Sequence, residues 1–98
     1  MKSESKGIAI VTGSAGALGN AIVSQLAEDG YDIALNDVPK NINALESLAE
    51  DIRKNGRKAI VVIGDVTVEN DVKNLVETTS EKLGGLDVVS TIYRLNGK

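Results

Sequence analysis

The chain has 98 residues, a formal net charge of −3 from 11 Lys and Arg against 14 Asp and Glu, and neither cysteine nor histidine. That length holds one small domain and no second, and without disulfides or the usual zinc ligands its core has to come from apolar packing alone. Hydrophobic residues at 42% and charged residues at 26% argue against intrinsic disorder or a fibrous repeat, and the acidic balance with only Tyr31 and Tyr93 as aromatics argues against a nucleic-acid partner.

Residues 1–6 are a polar tail. Ile8-Ala9-Ile10-Val11-Thr12 then reads as a strand, uninterrupted rather than alternating, as a parallel strand covered on both faces should be. A first helix is then read, whose broad apolar face holds Leu18, Ile22, Val23 and Leu26, ended by Gly30. A second strand is expected over Ile33–Asn36, followed by the only proline, Pro39, which biases Val38 to an extended conformation. Leu45, Leu48, Ala49 and Ile52 follow i, i+3, i+4, i+7 spacing, with Asn43 and Glu46 as a capping pair and Gly56 as the stop. A third strand is expected over Ala59–Gly64. A third helix carries Val72, Leu75, Val76, Thr79 and Leu83 on one face, with Thr67 as N-cap and Gly84-Gly85 as stop, and Leu86–Ile92 reads as a fourth strand.

Strands and helices in alternation, joined by right-handed crossovers, predict α/β architecture with four parallel strands in the order 3-2-1-4, the first half of a doubly wound fold. The longest fully apolar run, Ala59–Ile63, is far short of the ~20 residues that span a bilayer. No signal peptide or membrane helix is read, and the lack of cysteine fits a cytoplasmic location. Acidic groups such as Glu50-Asp51 and Glu69-Asn70-Asp71 fall on helix surfaces or first turns, where helix-dipole and i, i+4 pairing account for them, so no metal site is expected.

The informative segment is Thr12-Gly13-Ser14-Ala15-Gly16-Ala17-Leu18-Gly19, because it joins the first strand to the first helix. A glycine at the strand end permits a sharp turn, and the free N–H groups and dipole of the helix favour an anion such as a pyrophosphate. A plain glycine-rich turn is the blander alternative.

These residues resemble the short-chain dehydrogenase/reductase signature Thr-Gly-x-x-x-Gly-x-Gly, and the resemblance runs from about Ile8 to Val89. Thr12, Gly13 and Gly19 match, while the middle glycine falls on Ala17, with Gly16 one place earlier. A methyl group therefore stands where the backbone should approach the phosphates most closely. The resemblance implies a Rossmann-like dinucleotide-binding segment in which Gly13, Ser14, Ala17, Leu18 and Gly19 line the phosphate turn. Asp37, eighteen residues past Gly19, would accept hydrogen bonds from the adenosine ribose and repel a 2′-phosphate; no arginine follows it closely, so NAD is favoured over NADP. A turn-forming aspartate is its plainer reading. Asp65-Val66 looks like the family pair that cradles adenine, or else is an ordinary aspartate in the loop before the third helix.

The resemblance stops within residues 90–98. The family's Asn-Ala-Gly has no counterpart in Val88–Lys98, and its Tyr-x-x-x-Lys is not formed by Tyr93, which has Gly97 four residues on. No catalytic residue is assigned, and Tyr93 is expected to be a surface or edge residue. Two functions of different class remain. One is the amino-terminal NAD(P)-binding segment of an oxidoreductase that interconverts a ketone and a secondary alcohol by hydride transfer, without the catalytic half; Gly64–Thr67 and Gly84–Val89 look like those of acetoin/diacetyl or 3-oxoacyl-carrier-protein reductases. The other is a non-enzymatic half-fold that binds a nucleotide or a partner. In either, Val88, Val89 and Ile92 on the unpaired edge of the fourth strand would favour self-association.

Overall fold

The structure is a computed structural model that describes residues 5–84 and 89–93, the last five through their backbone. β1 (Ile8–Thr12) is buried along its whole length and pairs in parallel with β2 (Asp32–Asn36) on one side and β4 (Val89–Tyr93) on the other. β2 pairs in parallel with β3 (Ala59–Val61), so the sheet runs β3-β2-β1-β4. Ile10 lies opposite Ala34 and Ile92, and the β1–β4 register shifts between Ile8 and Ala9.

Because successive side chains on a strand point to opposite faces, an all-apolar strand feeds two cores. Ala9, Val11, Ile33, Leu35 and Ala59 face one side, under Val23 and Leu26 of α1 (Ala17–Glu28) and Leu45, Leu48, Ala49 and Ile52 of α2 (Ile42–Lys54). Ile8, Ile10, Ala34 and Val62 face the other, under Leu75 and Leu83 of α3 (Glu69–Leu83). Each fully buried Ile or Leu contributes about 1.5–3 kcal/mol. Helices on both faces of a parallel sheet make this a Rossmann-like α/β fold, in agreement with the alternation read from sequence.

α1 ends in a Schellman closure: Gly30, at φ 106°, donates its N–H to Ala27 O (3.1 Å), and Tyr31 donates to Leu26 O (3.0 Å). α2 closes the same way through Gly56 and Arg57.

Some local expectations are corrected. Leu18 is 64% exposed and lies off the apolar face of α1, whose buried residues are Gly19, Val23 and Leu26. Asn43 lies inside α2 and caps nothing; the N-cap is Asn41, which ends a short 3-10 turn, Pro39–Asn41. Pro39 starts that turn with its preset φ, so the helix begins earlier than the apolar spacing implied. Thr67 is not the N-cap of α3. Val68 is, because Thr67 instead bonds back to Asp65. β3 stops at Val61 rather than Gly64: Val62 N–H still reaches Leu35 O (2.9 Å), but the carbonyls of Val62 and Gly64 turn to the Asn36 side chain. Leu86–Val88, expected to open the fourth strand, lie outside the described residues.

Candidate functional site

In an open parallel sheet the crevice for a ligand lies beyond the carboxyl ends of the strands, where successive strands depart to opposite sides. Here that point is the end of β1, between β2 and β4. The chain leaves β1 through Gly13 at φ 73°, a left-handed conformation that a side chain resists. It then enters α1 at Gly16, an extended N-cap with no side chain to bond the helix. The first-turn amides of Ala17, Leu18 and Gly19 belong to the set that a helix's own ladder leaves unused. α1 has no acidic residue in its first turn, so nothing of that kind answers the positive end of its dipole.

Gly19 is what lets α1 start here. A Cβ at this position would stand 2.2 Å from Gly13 O and 2.9 Å from Ser14 Cα, so any side chain would push the helix off the turn. At Gly16 the nearest atom, Gly13 O, would be 3.7 Å away, and the surface there is open. The two glycines thus differ in kind: Gly19 serves backbone packing, while Gly16 lies exposed beside exposed Ala17 and Leu18.

Ser14 faces inward. It is fully buried; its hydroxyl donates to Val11 O (2.6 Å) and accepts from Asn36 N (3.3 Å), while its own amide donates to Asn36 O (3.0 Å). These bonds stitch the turn to the end of β2, which delivers Asp37. One carboxylate oxygen of Asp37, Oδ2, accepts the Ala15 N–H at 3.0 Å. The other, Oδ1, accepts Val38 N–H at 2.8 Å and the Asn41 side-chain amide at 3.1 Å. The structure therefore brings the glycine turn and Asp37 into direct contact.

Buried Asn36 carries the same rim onward, donating through Nδ2 to Val62 O (2.9 Å), and Gly64 N–H donates to Asp37 O (3.1 Å). Asp65 follows, with its side chain exposed. Its Oδ1 accepts both the hydroxyl (2.7 Å) and the amide (2.9 Å) of Thr67, and these two bonds hold its carboxyl below the ordinary 3.8. Val66 is half-buried beside it. Asp65 and Val66 thus sit on the same rim as Asp37, joined through Gly64. Sequence reasoning passed over Asn36 and Asn41. Their signal was two asparagines flanking the acidic residue at a strand end, where a polar side chain about to be buried has to find partners.

A family model described as short chain dehydrogenase matches residues 7–91. A short-chain dehydrogenase/reductase of Hericium erinaceus, eriH, is 52% identical over 86 residues, covering 86% of this chain and 34% of its own length. A diacetyl reductase, (S)-acetoin forming, of Staphylococcus epidermidis is 36% identical over 81 residues, covering 83% of this chain and 31% of its own. Among solved structures, a blue fluorescent protein from a metagenomic library in complex with NADPH superposes with TM-score 0.79 at 34% identity, over 87% of this chain and 35% of that one. Another similar structure is an NAD+-bound xylitol dehydrogenase, at TM-score 0.74 and 35% identity, over 85% of this chain and 31% of that one. The chain belongs to the short-chain dehydrogenase family and spans about a third of the length of these relatives.

Proposed function

We propose that this chain is the adenosine-diphosphate-binding part of a short-chain oxidoreductase that interconverts a ketone and a secondary alcohol, with NAD favoured over NADP. The observation that carries it is the α1 N-terminus, uncapped by any side chain, without acid in its first turn, and held against the Asp37 carboxylate through Ala15. The residues present fit a dinucleotide. The first-turn amides of Ala17, Leu18 and Gly19 would hold the pyrophosphate, open Gly16 gives it room, and Asp37 would take the adenosine ribose. Ser14 would serve from inside, fixing the turn. Asp65 and Val66 would border the adenine.

Asp37 supports NAD because a 2′-phosphate would bring like charge against its carboxylate, and Lys40 is the nearest cation in sequence. Relatives named for diacetyl reduction and xylitol dehydrogenation support the ketone and alcohol reading. When bound, NAD would supply the hydride acceptor. What this chain's residues do is bind and orient; a Tyr-x-x-x-Lys to exchange the proton is not formed by either tyrosine of the sequence.

Titration calorimetry of the 98-residue chain with NAD, NADP and ADP tests the reading. NAD and ADP should bind, NAD more tightly than NADP, and Asp37→Ala should weaken NAD by roughly tenfold, the scale of one charge-assisted hydrogen bond. No binding by a folded sample, or binding indifferent to Asp37→Ala, overturns it. NADH oxidation with diacetyl should stay at background.

A further inference from the structure

Asp37 is held by donors from three places. Val38 N–H and the Asn41 side-chain amide both bond Oδ1, at 2.8 and 3.1 Å, while Ala15 N–H bonds Oδ2 at 3.0 Å. A carboxylate offers about four acceptor positions, two on each oxygen. Oδ1 is therefore filled from inside the chain, and the one position left is on Oδ2, the oxygen that also faces the glycine turn. Asn41 is well placed to keep it so: it ends the 3-10 turn begun by Pro39 and is the N-cap of α2, and its side chain, which makes no capping bond to the helix, goes to Asp37 instead.

From this arrangement we infer that Asn41 is a positioning residue for cofactor selectivity, locking the Asp37 carboxylate so that Oδ2 alone is offered to the adenosine ribose. The inference rests on the dinucleotide reading above and adds a residue to it. A ribose hydroxyl can donate to the open site on Oδ2. A 2′-phosphate has no proton to donate there and meets the fixed charge instead. Without the Asn41 amide, Val38 N–H on Oδ1 and Ala15 N–H on Oδ2 remain, and with one donor fewer the side chain can change χ1 and move the carboxylate aside from a phosphate. Discrimination then falls, because a mobile charge can retreat where a fixed one repels.

The test is the ratio of NADP to NAD dissociation constants, measured by calorimetry on the parent chain, Asn41→Leu, Asn41→Gln, Asp37→Ala and the Asp37→Ala/Asn41→Leu double variant, with each fold checked by thermal unfolding. Asn41→Leu should lower the ratio by about fivefold, Asn41→Gln, which keeps an amide donor, should bring it back to within about twofold of the parent, and Asn41→Leu should change nothing further once Asp37 is gone. A purely structural role would weaken both cofactors equally and leave the ratio alone, which would overturn the inference. So would an equal drop in the ratio with and without Asp37. If the folded parent binds neither cofactor, the dinucleotide reading itself fails and this inference with it; if the parent binds and the ratio holds in Asn41→Leu, only the inference fails.

Discussion

The turn from β1 into α1 and the passage from β3 into α3 leave the same edge of the sheet, yet their helix N-termini are finished in opposite ways. α3 starts with Glu69 and Asp71 in its first turn, and Asp71 Oδ2 accepts the Asp65 N–H at 2.9 Å while Asp65 collects the amide and hydroxyl of Thr67. That end supplies its own negative charge, and its acceptors tie the loop amides just before the helix, although Val68 makes no side-chain cap. α1 starts with Gly16, Ala17, Leu18 and Gly19, which offer the helix neither. One junction carries acids in the first turn and ties its own loop, and the other leaves a helix end without acid beside the Asp37 carboxylate. Two junctions with the same topology thus differ in which side chains are withheld at the helix start.

The contrast can be broken most severely at the glycines. Gly19→Ala should destabilise the chain by about 3 kcal/mol or more, since its Cβ would stand 2.2 Å from a backbone oxygen that cannot retreat without unmaking the turn. Gly64→Ala, beside the other junction, should cost about 1 kcal/mol, because its Cβ would meet Asp71 Cβ at 3.2 Å, a contact relieved by a few tenths of an ångström of movement at the start of α3. Urea unfolding of the two variants side by side measures the difference; equal costs would mean that the α1 turn is no more tightly built than the other.

Ser14→Ala comes between them in size. It removes a buried hydroxyl that serves Val11 O and Asn36 N, leaving both without that partner, and should cost about 1–3 kcal/mol. Its effect on NAD binding should follow only from a loosened turn, and a fully stable Ser14→Ala chain would contradict the stitch between β1 and β2.

How much of this was legible beforehand differs by length scale. The unbroken apolar runs of Ile8–Val11 and Ile33–Leu35 announced strands covered on both faces, and the glycines between strand and helix announced the turn, since both signals are local. The partners of Ser14, Asn36 and Asp37 were not legible. Ser14 meets Asn36 twenty-two residues away and Asn36 meets Val62 twenty-six away, contacts that exist only once the strands are laid side by side. Helix starts failed for a related reason. Thr67 has the side chain of an N-cap, but Asp65 two residues earlier competes for its amide and hydroxyl, and spacing alone cannot rank the two arrangements. Leu18 was assigned to the core by periodicity, yet the helix has barely left the turn there and the residue looks outward.

The smallest expected effect belongs to the junction before α3. The two Thr67 bonds lower the Asp65 carboxyl below 3.8 in the folded chain, so they favour folding above that value and their contribution disappears as pH falls through the lowered pKa. Thr67→Val, which removes the hydroxyl bond and keeps the amide bond, should move the Asp65 titration up toward 3.8 when followed by carboxyl NMR, and the stability gap between parent and variant should close in acid. A titration that does not move would mean that the Thr67 hydroxyl is not what holds Asp65.

If an anionic ligand completes the open α1 N-terminus, Gly16→Asp competes with it directly. Gly16 has the extended backbone of an N-cap, φ −78° and ψ 168°, and open space where a Cβ would go, so an aspartate there can cap the helix without strain. Opposite signs are expected in one variant: unfolding free energy raised by about 0.5–1 kcal/mol, and NAD affinity by calorimetry lowered by about tenfold or more, because the new carboxylate takes the amides and the field that the pyrophosphate would use. A folded, stabilised Gly16→Asp chain that binds NAD as tightly as the parent would contradict it.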